Sequence, residues 1–224
     1  MAMTYTGDVT PGDPAVVREL SHLTIAKLAV DEKMANNCYL LTCRESGEQL
    51  LIDAADDSAA ILQLCDGRLG SVVTTHQHWD HHRALADVVA ATGAPVSAGA
   101  PDADAITDQT GVEVTYRLQH GDVVPLGRCS LEVIAVAGHT PGSIALLYDD
   151  PDGHPHLFTG DSLFPGGVGA TFGDAQAFAT LIEQVTTQIF DRLPDETWFY
   201  PGHGKDGQLG NERPHLAEWR DRGW

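Results

Sequence analysis

Four side chains of metal-binding type fall within six consecutive residues, His76-Gln77-His78-Trp79-Asp80-His81, and three more stand apart downstream at His139, Asp161 and His203. The run follows Ser71-Val72-Val73, an apolar stretch with the pattern of a buried strand. While the chain stays extended, His76 and His78 project to the same side and can share one ion. Once it turns toward the helical pattern beginning near Arg83, Asp80 and His81 point elsewhere and can serve a second. Two divalent ions about 3.5–4 Å apart would polarise a substrate carbonyl and lower the pKa of a bound water to about 7, so no protein nucleophile is needed. Imidazole suits zinc and iron, and mixed nitrogen and oxygen donors also suit manganese. A lone histidine is ordinarily a surface or core residue, and His22, His154, His156 and His215 read that way.

The segments that must carry these groups are short strands and helices in alternation. Asn37 to Thr42 and Gln49 to Ile52 read as strands joined by the turn Glu45-Ser46-Gly47-Glu48, followed by a helix over Ser58 to Leu64 capped by Asp57 or Ser58. Ser71 to Thr75 leads into the donor run, and Arg83 to Ala91 is the next helix. Val96, Val112 to Leu118 and Val123 to Leu126 give short strands. Leu131 to Val136, Ser143 to Tyr148 and His156 to Phe158 give three more, each delivering a donor segment at or near its end. Ala175 to Ile189 is the longest amphipathic helix, Thr197 to Tyr200 a strand, and Arg213 to Arg222 a closing helix. This order favours an α+β arrangement of two packed sheets flanked by helices.

Beyond the His-x-His-x-Asp-His run, the chain carries Gly138-His139-Thr140-Pro141-Gly142-Ser143, then Thr159-Gly160-Asp161-Ser162-Leu163-Phe164, then Tyr200-Pro201-Gly202-His203-Gly204. Four separated segments in this order resemble the metallo-β-lactamase superfamily over nearly the whole chain. The resemblance implies an αββα sandwich of two mixed β-sheets flanked by helices, as a single domain over residues 1–224. It also implies one metal site from His76, His78 and His139, a second from Asp80, His81 and His203, and Asp161 bridging them. Asp80 and Asp161 are then catalytic as well as ligands, and the cofactor is two divalent ions, zinc first, with iron or manganese compatible. Asp53, ending Leu50-Leu51-Ile52, matches the family's acid near the site or else opens a helix. Trp79 either walls the site or packs, His82 faces away from the metals, and Gly166-Gly167-Val168-Gly169 is a loop beside the substrate or a plain turn.

Within that superfamily the Gly-Asp-Ser-Leu-Phe and Tyr-Pro-Gly-His-Gly segments resemble the glyoxalase II branch, whose members use a metal-bridging hydroxide to cleave S-acyl conjugates of small thiols. Glutathione-dependent members carry a Lys and a Tyr after the Gly-x-Gly turn, where this chain has Ala170 and Phe172, and they add a C-terminal helical domain that this chain is expected to lack. Arg213 and Arg220 are the cations that could replace that grip. Few lysines with abundant Ala, Gly and Asp suggest a GC-rich genome, in which another thiol such as mycothiol is the expected carrier. The alternative in the same fold is a persulfide dioxygenase with one iron on His76, His139 and Asp161, whose Arg-Thr pair appears here as Ala170-Thr171. A lactonase is disfavoured by Phe164 where such enzymes carry Tyr, and a β-lactamase by Asp161 where one major class has a cysteine. A scaffold protein that kept such a site without turnover is disfavoured by the open position the two ions leave.

Composition limits the partners. Thirty-two acidic against thirteen basic residues give a formal charge of -19, which repels nucleic acid, and no basic cluster offers an exception. No apolar run reaches membrane-spanning length, and Met1 to Asp8 lacks the basic and apolar parts of a leader, so a cytoplasmic enzyme acting on a small molecule is expected. The oligomeric state stays open. Cys38, Cys43, Cys65 and Cys129 form no C-x-x-C pair and read as reduced, buried small apolar residues.

Overall fold

In the computed structural model, residues 5–223 are described. The first sheet contains β1 (Val16–Glu19), β2 (Leu23–Val30), β3 (Asn36–Cys43), β4 (Gln49–Ile52), β5 (Leu69–Thr74), β6 (Val96–Gly99) and β7 (Val114–Leu118), lying side by side in chain order. It is antiparallel from β1 to β4 and parallel from β4 to β7. The second sheet contains β8 (Val123–Leu126), β9 (Cys129–Ala135), β10 (Ile144–Tyr148) and β11 (His156–Gly160). Beyond the small hairpin of β12 (Leu163–Phe164) and β13 (Gly167–Val168), it is completed by β14 (Trp198–Pro201) and β15 (Gly207–Gln208). Here β14 pairs parallel with β11, and the other pairings are antiparallel. Both sheets are mixed.

Alternate residues of each strand sort into three cores, which is the physical content of a four-layer fold. Leu41, Leu50 and Ile52 meet Leu131, Val133, Leu146 and Phe158 between the sheets. Their neighbours Leu40 and Leu51 face outward onto Ile61 and Cys65 of α1 (Ser58–Cys65), Leu85 and Val88 of α2 (Leu85–Thr92) and Ile106 of α3 (Ala103–Thr110). On the other side Ala145, Leu147 and Leu157 pack on Leu181 of α4 (Ala175–Gln184), with Leu209 of α5 (Leu209–Glu212) and Trp219 of α6 (Leu216–Arg222). Two mixed sheets between helical layers match the αββα expectation. No helix among the described residues is long and apolar enough to cross a membrane.

Several elements depart from the sequence expectation for identifiable reasons. Neither β1 nor β2 was anticipated: β1 is a four-residue edge strand with no fully buried residue, and Lys27 interrupts the apolar run Leu23–Val30 of β2. Lys27 is nonetheless fully buried, its Nζ donating at 2.7 Å to Gly7 O, Gly204 O and Asp206 Oδ1, so the charge is paired and hydrogen-bonded. The short helix α3 buries only Ala103 and Ile106, too weak a stripe to read. The expected helix to Ile189 becomes a π-helical turn over Val185–Phe190, where Thr186 and Thr187 hydroxyls bond back to the carbonyls of Ile182 and Glu183. Pro214 makes the start of the closing helix a 3-10 turn, Arg213–His215.

Candidate metal centre

All seven expected donors converge at one end of the sandwich, each on the loop leaving a strand. The run from His76 to His81 follows β5 of the first sheet, while His139, Asp161 and His203 follow β9, β11 and β14 of the second. Three overlapping groups form, each with donor atoms within 4.8 Å of one another: His76, His78 and His139; His76, His81 and Asp161; Asp80, His81 and His203. The run bends into a 3-10 turn at Trp79–His81, and this separates Asp80 and His81 from His78.

Distances between donors show how tightly the groups close. His78 Nδ1 lies 2.9 Å from His139 Nε2, and His81 Nε2 lies 3.2 Å from His203 Nε2. Asp161 sits between the groups, with Oδ1 3.3 Å from His81 Nε2 and Oδ2 3.3 Å from His203 Nε2 and 3.6 Å from His139 Nε2. Asp80 Oδ2 is 3.3 Å from His203 Nε2 and 3.6 Å from His81 Nε2. Two neutral imidazoles at hydrogen-bonding distance, and more around them, are what a shared cation reconciles. The fit is sharpest at His76 Nε2 and Asp161 Oδ1, which are buried in the centre without a hydrogen-bond partner.

The outer atoms of the same rings are tethered to the protein, which fixes each tautomer and aims the inner nitrogen. His81 Nδ1 donates to Asp53 Oδ2 at 2.9 Å, His139 Nδ1 to Ala170 O at 2.7 Å and His203 Nδ1 to Met34 O at 2.8 Å. Thr75 Oγ1 meets His76 Nδ1 at 3.0 Å and donates to Asp53 Oδ2 at 2.8 Å. Asp53 is therefore the acid beside the site and not a helix cap; that cap is Asp57, which accepts from Ala60 N. Gly202 matters by absence of a side chain. A Cβ there would meet Asp161 Oδ1 and come within 2.5 Å of His81 Cε1.

Charge follows the geometry. Burial and the neighbouring His81 push His76 well below the usual imidazole range, and burial likewise lowers His78 and His139. Burial would lower His203 too, yet hydrogen bonds to Asp161 and Asp80 carry it up to about 9. His81 is likewise raised by Asp161 and Asp53 against its burial. Against their own desolvation, Asp161 is held ionised by His81 and His203, and Asp80 by His203 and His81. The centre thus keeps two carboxylates ionised beside three histidines whose burial favours the neutral, ligating form.

Other expected positions resolve plainly. His82 turns away, its Nε2 on Gln77 O at 3.2 Å. Trp79 is half exposed under the Arg83 guanidinium, 4.8 Å from its ring, and lines a side cavity with His82 and Gln109. The glycine loop is the tight hairpin of β12 and β13. Arg213 is held by Asp195 and by the carbonyls of Phe190 and Leu193, and Arg220 bonds Thr186. His22, His154, His156 and His215 lie outside the three groups.

Phe172 is largely exposed with φ 54, its ring 5.7 Å from His78 and 6.0 Å from His139, so an aromatic side chain stands at the mouth in a left-handed backbone conformation. Two residues that sequence reasoning missed hold the centre together. Asn36 Nδ2 donates to Asp80 Oδ2 at 3.0 Å and to Asp80 O at 3.1 Å. Fully buried Asp102 accepts from Gln77 N at 2.9 Å, Thr140 Oγ1 at 2.6 Å and Gly142 N at 2.7 Å, joining the two donor loops. Neither has a local signal, since each acts through contacts across the fold.

Comparison with known proteins gives the family. A hydroxyacylglutathione hydrolase from Polaromonas sp. is 37% identical over 171 residues, 74% of this chain and 60% of that protein, so the chain spans less than two thirds of that relative's length. The mitochondrial persulfide dioxygenase of Bos taurus is 30% identical over 200 residues, 88% of this chain and 71% of that protein. A crystal structure solved in a di-iron-bound form is 28% identical with a TM-score of 0.63, covering 84% of this chain and 96% of that one. The sequence profile of the metallo-beta-lactamase superfamily matches residues 32–203, a span that takes in every donor from His76 to His203, and the chain belongs to that superfamily.

Proposed function

We propose that the protein is a two-metal hydrolase of the glyoxalase II-like kind, cleaving the thioester of an S-acyl conjugate of a small thiol. The observation that carries the reading is that Asp161 groups with His76 of one outer donor set and His81 of the other, with His76 Nε2 and Asp161 Oδ1 buried and without a hydrogen-bond partner. His76, His78 and His139 would hold one ion, Asp80, His81 and His203 the other, and Asp161 both. Bound there, two divalent ions supply an activated water and an electrophile for the carbonyl oxygen. The chain's own part is to aim and to charge. Asp53, Ala170 O and Met34 O orient three rings, and Asn36 holds Asp80 Oδ2 beside His81 and His203, where it would act as a charged ligand. We assign zinc as the native metal; the di-iron relative makes iron the competing assignment.

The substrate reading rests on the mouth of the site. Ala170 contributes only its carbonyl, and Phe172 presents an uncharged ring beside His78 and His139, so neither of these positions offers a cation to the glycyl carboxylate of glutathione. That missing contact ordinarily contributes about 1.5–3 kcal/mol. Small alkyl thioesters and thioesters of another cellular thiol such as mycothiol should be cleaved with higher kcat/KM than S-lactoylglutathione. A clear preference for the glutathione ester would overturn the substrate reading. The second reading, an iron persulfide dioxygenase, is favoured by the Bos taurus relative's 30% identity over a wider stretch of this chain. Elemental analysis of protein purified without added metal separates them: about two zinc per chain supports hydrolysis, and about one iron with oxygen uptake on glutathione persulfide replaces it.

A further inference from the structure

At the end of β3 remote from Asn36, two cysteines from different sheets sit on turns that touch each other. Cys43 closes β3 in the first sheet and Cys129 opens β9 in the second. Their surroundings interlock. The backbone N of Arg128 donates to Cys43 Sγ at 3.4 Å, while Cys129 Sγ donates to His22 O at 3.5 Å, the carbonyl that also accepts Arg44 N at 2.9 Å. A Cβ on Gly127 would stand 3.0 Å from Cys43 Sγ and 2.9 Å from Glu48 Oε2, so the β8–β9 turn lies directly on the turn that follows Cys43.

The two thiols differ in character. Although desolvation opposes it, hydrogen bonds from Ser46 and from the backbone of Arg128 and Glu45 lower Cys43 to about 6. The Cys129 thiol is pushed up to about 11 by burial and by the facing Cys43 sulfur. A thiol that accepts a backbone hydrogen bond, next to a second thiol on the facing turn, is the arrangement of an attacking and a resolving cysteine. Cys43 is itself buried among the residues between the sheets and Cys129 is partly buried beside it, while Cys38 and Cys65 lie in the helix-side core, where burial raises them to about 12 and about 11.

We propose that Cys43 and Cys129 form a peroxide-sensitive thiol pair that closes into a disulfide joining the two sheets. The Cys43 thiolate attacks one oxygen of a hydroperoxide and the O–O bond breaks. With hydrogen peroxide, hydroxide leaves and takes a proton to become water, and Cys43 becomes a sulfenic acid. Cys129 then attacks the Cys43 sulfur, the S–O bond breaks, and the Cys129 proton leaves with the hydroxyl as a second water. Two thiols have lost two electrons to one peroxide, and neither metal nor substrate takes part.

The test is peptide mapping of the reduced protein after a few equivalents of hydrogen peroxide, with free thiols blocked before non-reducing digestion. A Cys43–Cys129 linked peptide, two hydrogens lighter and restored by dithiothreitol, is expected, together with a rise in Tm of roughly 5–15 °C. Cys38 and Cys65 should remain alkylatable. In Cys129→Ser, Cys43 should stop at a sulfenic acid that dimedone captures. Oxidation of Cys43 straight to the sulfinic acid in the unsubstituted protein, or oxidation of Cys38 or Cys65 first, overturns the proposal, as does recovery of Cys43 unmodified.

Discussion

Gly202→Ala tests whether the centre is organised around one shared carboxylate. The new methyl group would stand 2.5 Å from His81 Cε1, against an ordinary contact of 3.4 Å, and would also collide with Asp161 Oδ1. Both obstructing atoms belong to donor side chains, and the nearest backbone atom, Gly160 C, is at 3.4 Å, so the fold can accommodate the methyl only by moving the donors. The required shift is about 1 Å, several times the roughly 0.2 Å latitude of a metal–ligand distance. A displacement of that size in a catalytic array costs on the order of 100-fold in kcat. The metal-free protein should lose only about 1–3 kcal/mol from overpacking. The assay compares zinc bound per chain after equilibration with two equivalents, kcat on an alkyl thioester, and urea unfolding of the metal-free protein. Full zinc retention with kcat within twofold of the unsubstituted enzyme would refute the placement of Asp161 and His81 in one shared centre.

Other perturbations address separate parts of the site. Asp161→Ala should release at least one ion and cut kcat by orders of magnitude, whereas His82→Ala, on the far side of the run, should leave metal content unchanged; similar losses in both would mean the roles are misassigned. Asp102→Ala strands the donors of Gln77, Thr140 and Gly142 and should lower stability by about 3 kcal/mol, read as a drop in urea midpoint, with a near-neutral result counting against its bridging role. In the metal-free protein, His81 and His203 are raised by their carboxylates, so their stabilisation is complete below about pH 6.5, and the share from His203 is lost as pH rises through about 9. The Tm of the metal-free protein should therefore fall across that interval while that of the zinc-loaded protein holds, and a Tm rising over the same interval without metal would contradict the assigned pairing.

Four donors, His76 to His81, were legible because they are dense in sequence at the end of an apolar strand, and the three that stand apart were legible through the segments that carry the family resemblance. His139 and His203 could be placed by the turns around them, Gly138-His139-Thr140 and Pro201-Gly202-His203, and the structure brings both to the centre. Asn36 and Asp102 were not legible. Their partners lie tens of residues away, Asp80 for one and Gln77, Thr140 and Gly142 for the other, and nothing nearby marks either residue as more than an ordinary loop or strand-end polar group. Strand β2 was hidden for a different reason: a buried lysine contradicts every hydropathy pattern unless Asp206 and two carbonyls far along the chain are known to receive it. The cysteines are free as expected, and Cys38, Cys43 and Cys65 are buried, but Cys129 is only partly buried because it opens β9 at a turn, and its contact with the turn beside Cys43 exists only once the two sheets are stacked.

The parallel pairing of β14 with β11 carries a consequence for the timing of assembly. Those two strands are separated by the whole of α4 and the π-helical turn, so their contact closes a long loop and comes after local pairings such as β9 with β10. A chain emerging from the ribosome has His76, His78 and His139 in hand well before it has His203. Early in synthesis it can offer only a partial nest of imidazoles, open to whichever divalent ion is at hand. The proposed second group would close only when β14 docks, and on the proposed reading the choice between metals falls to the finished set of seven donors.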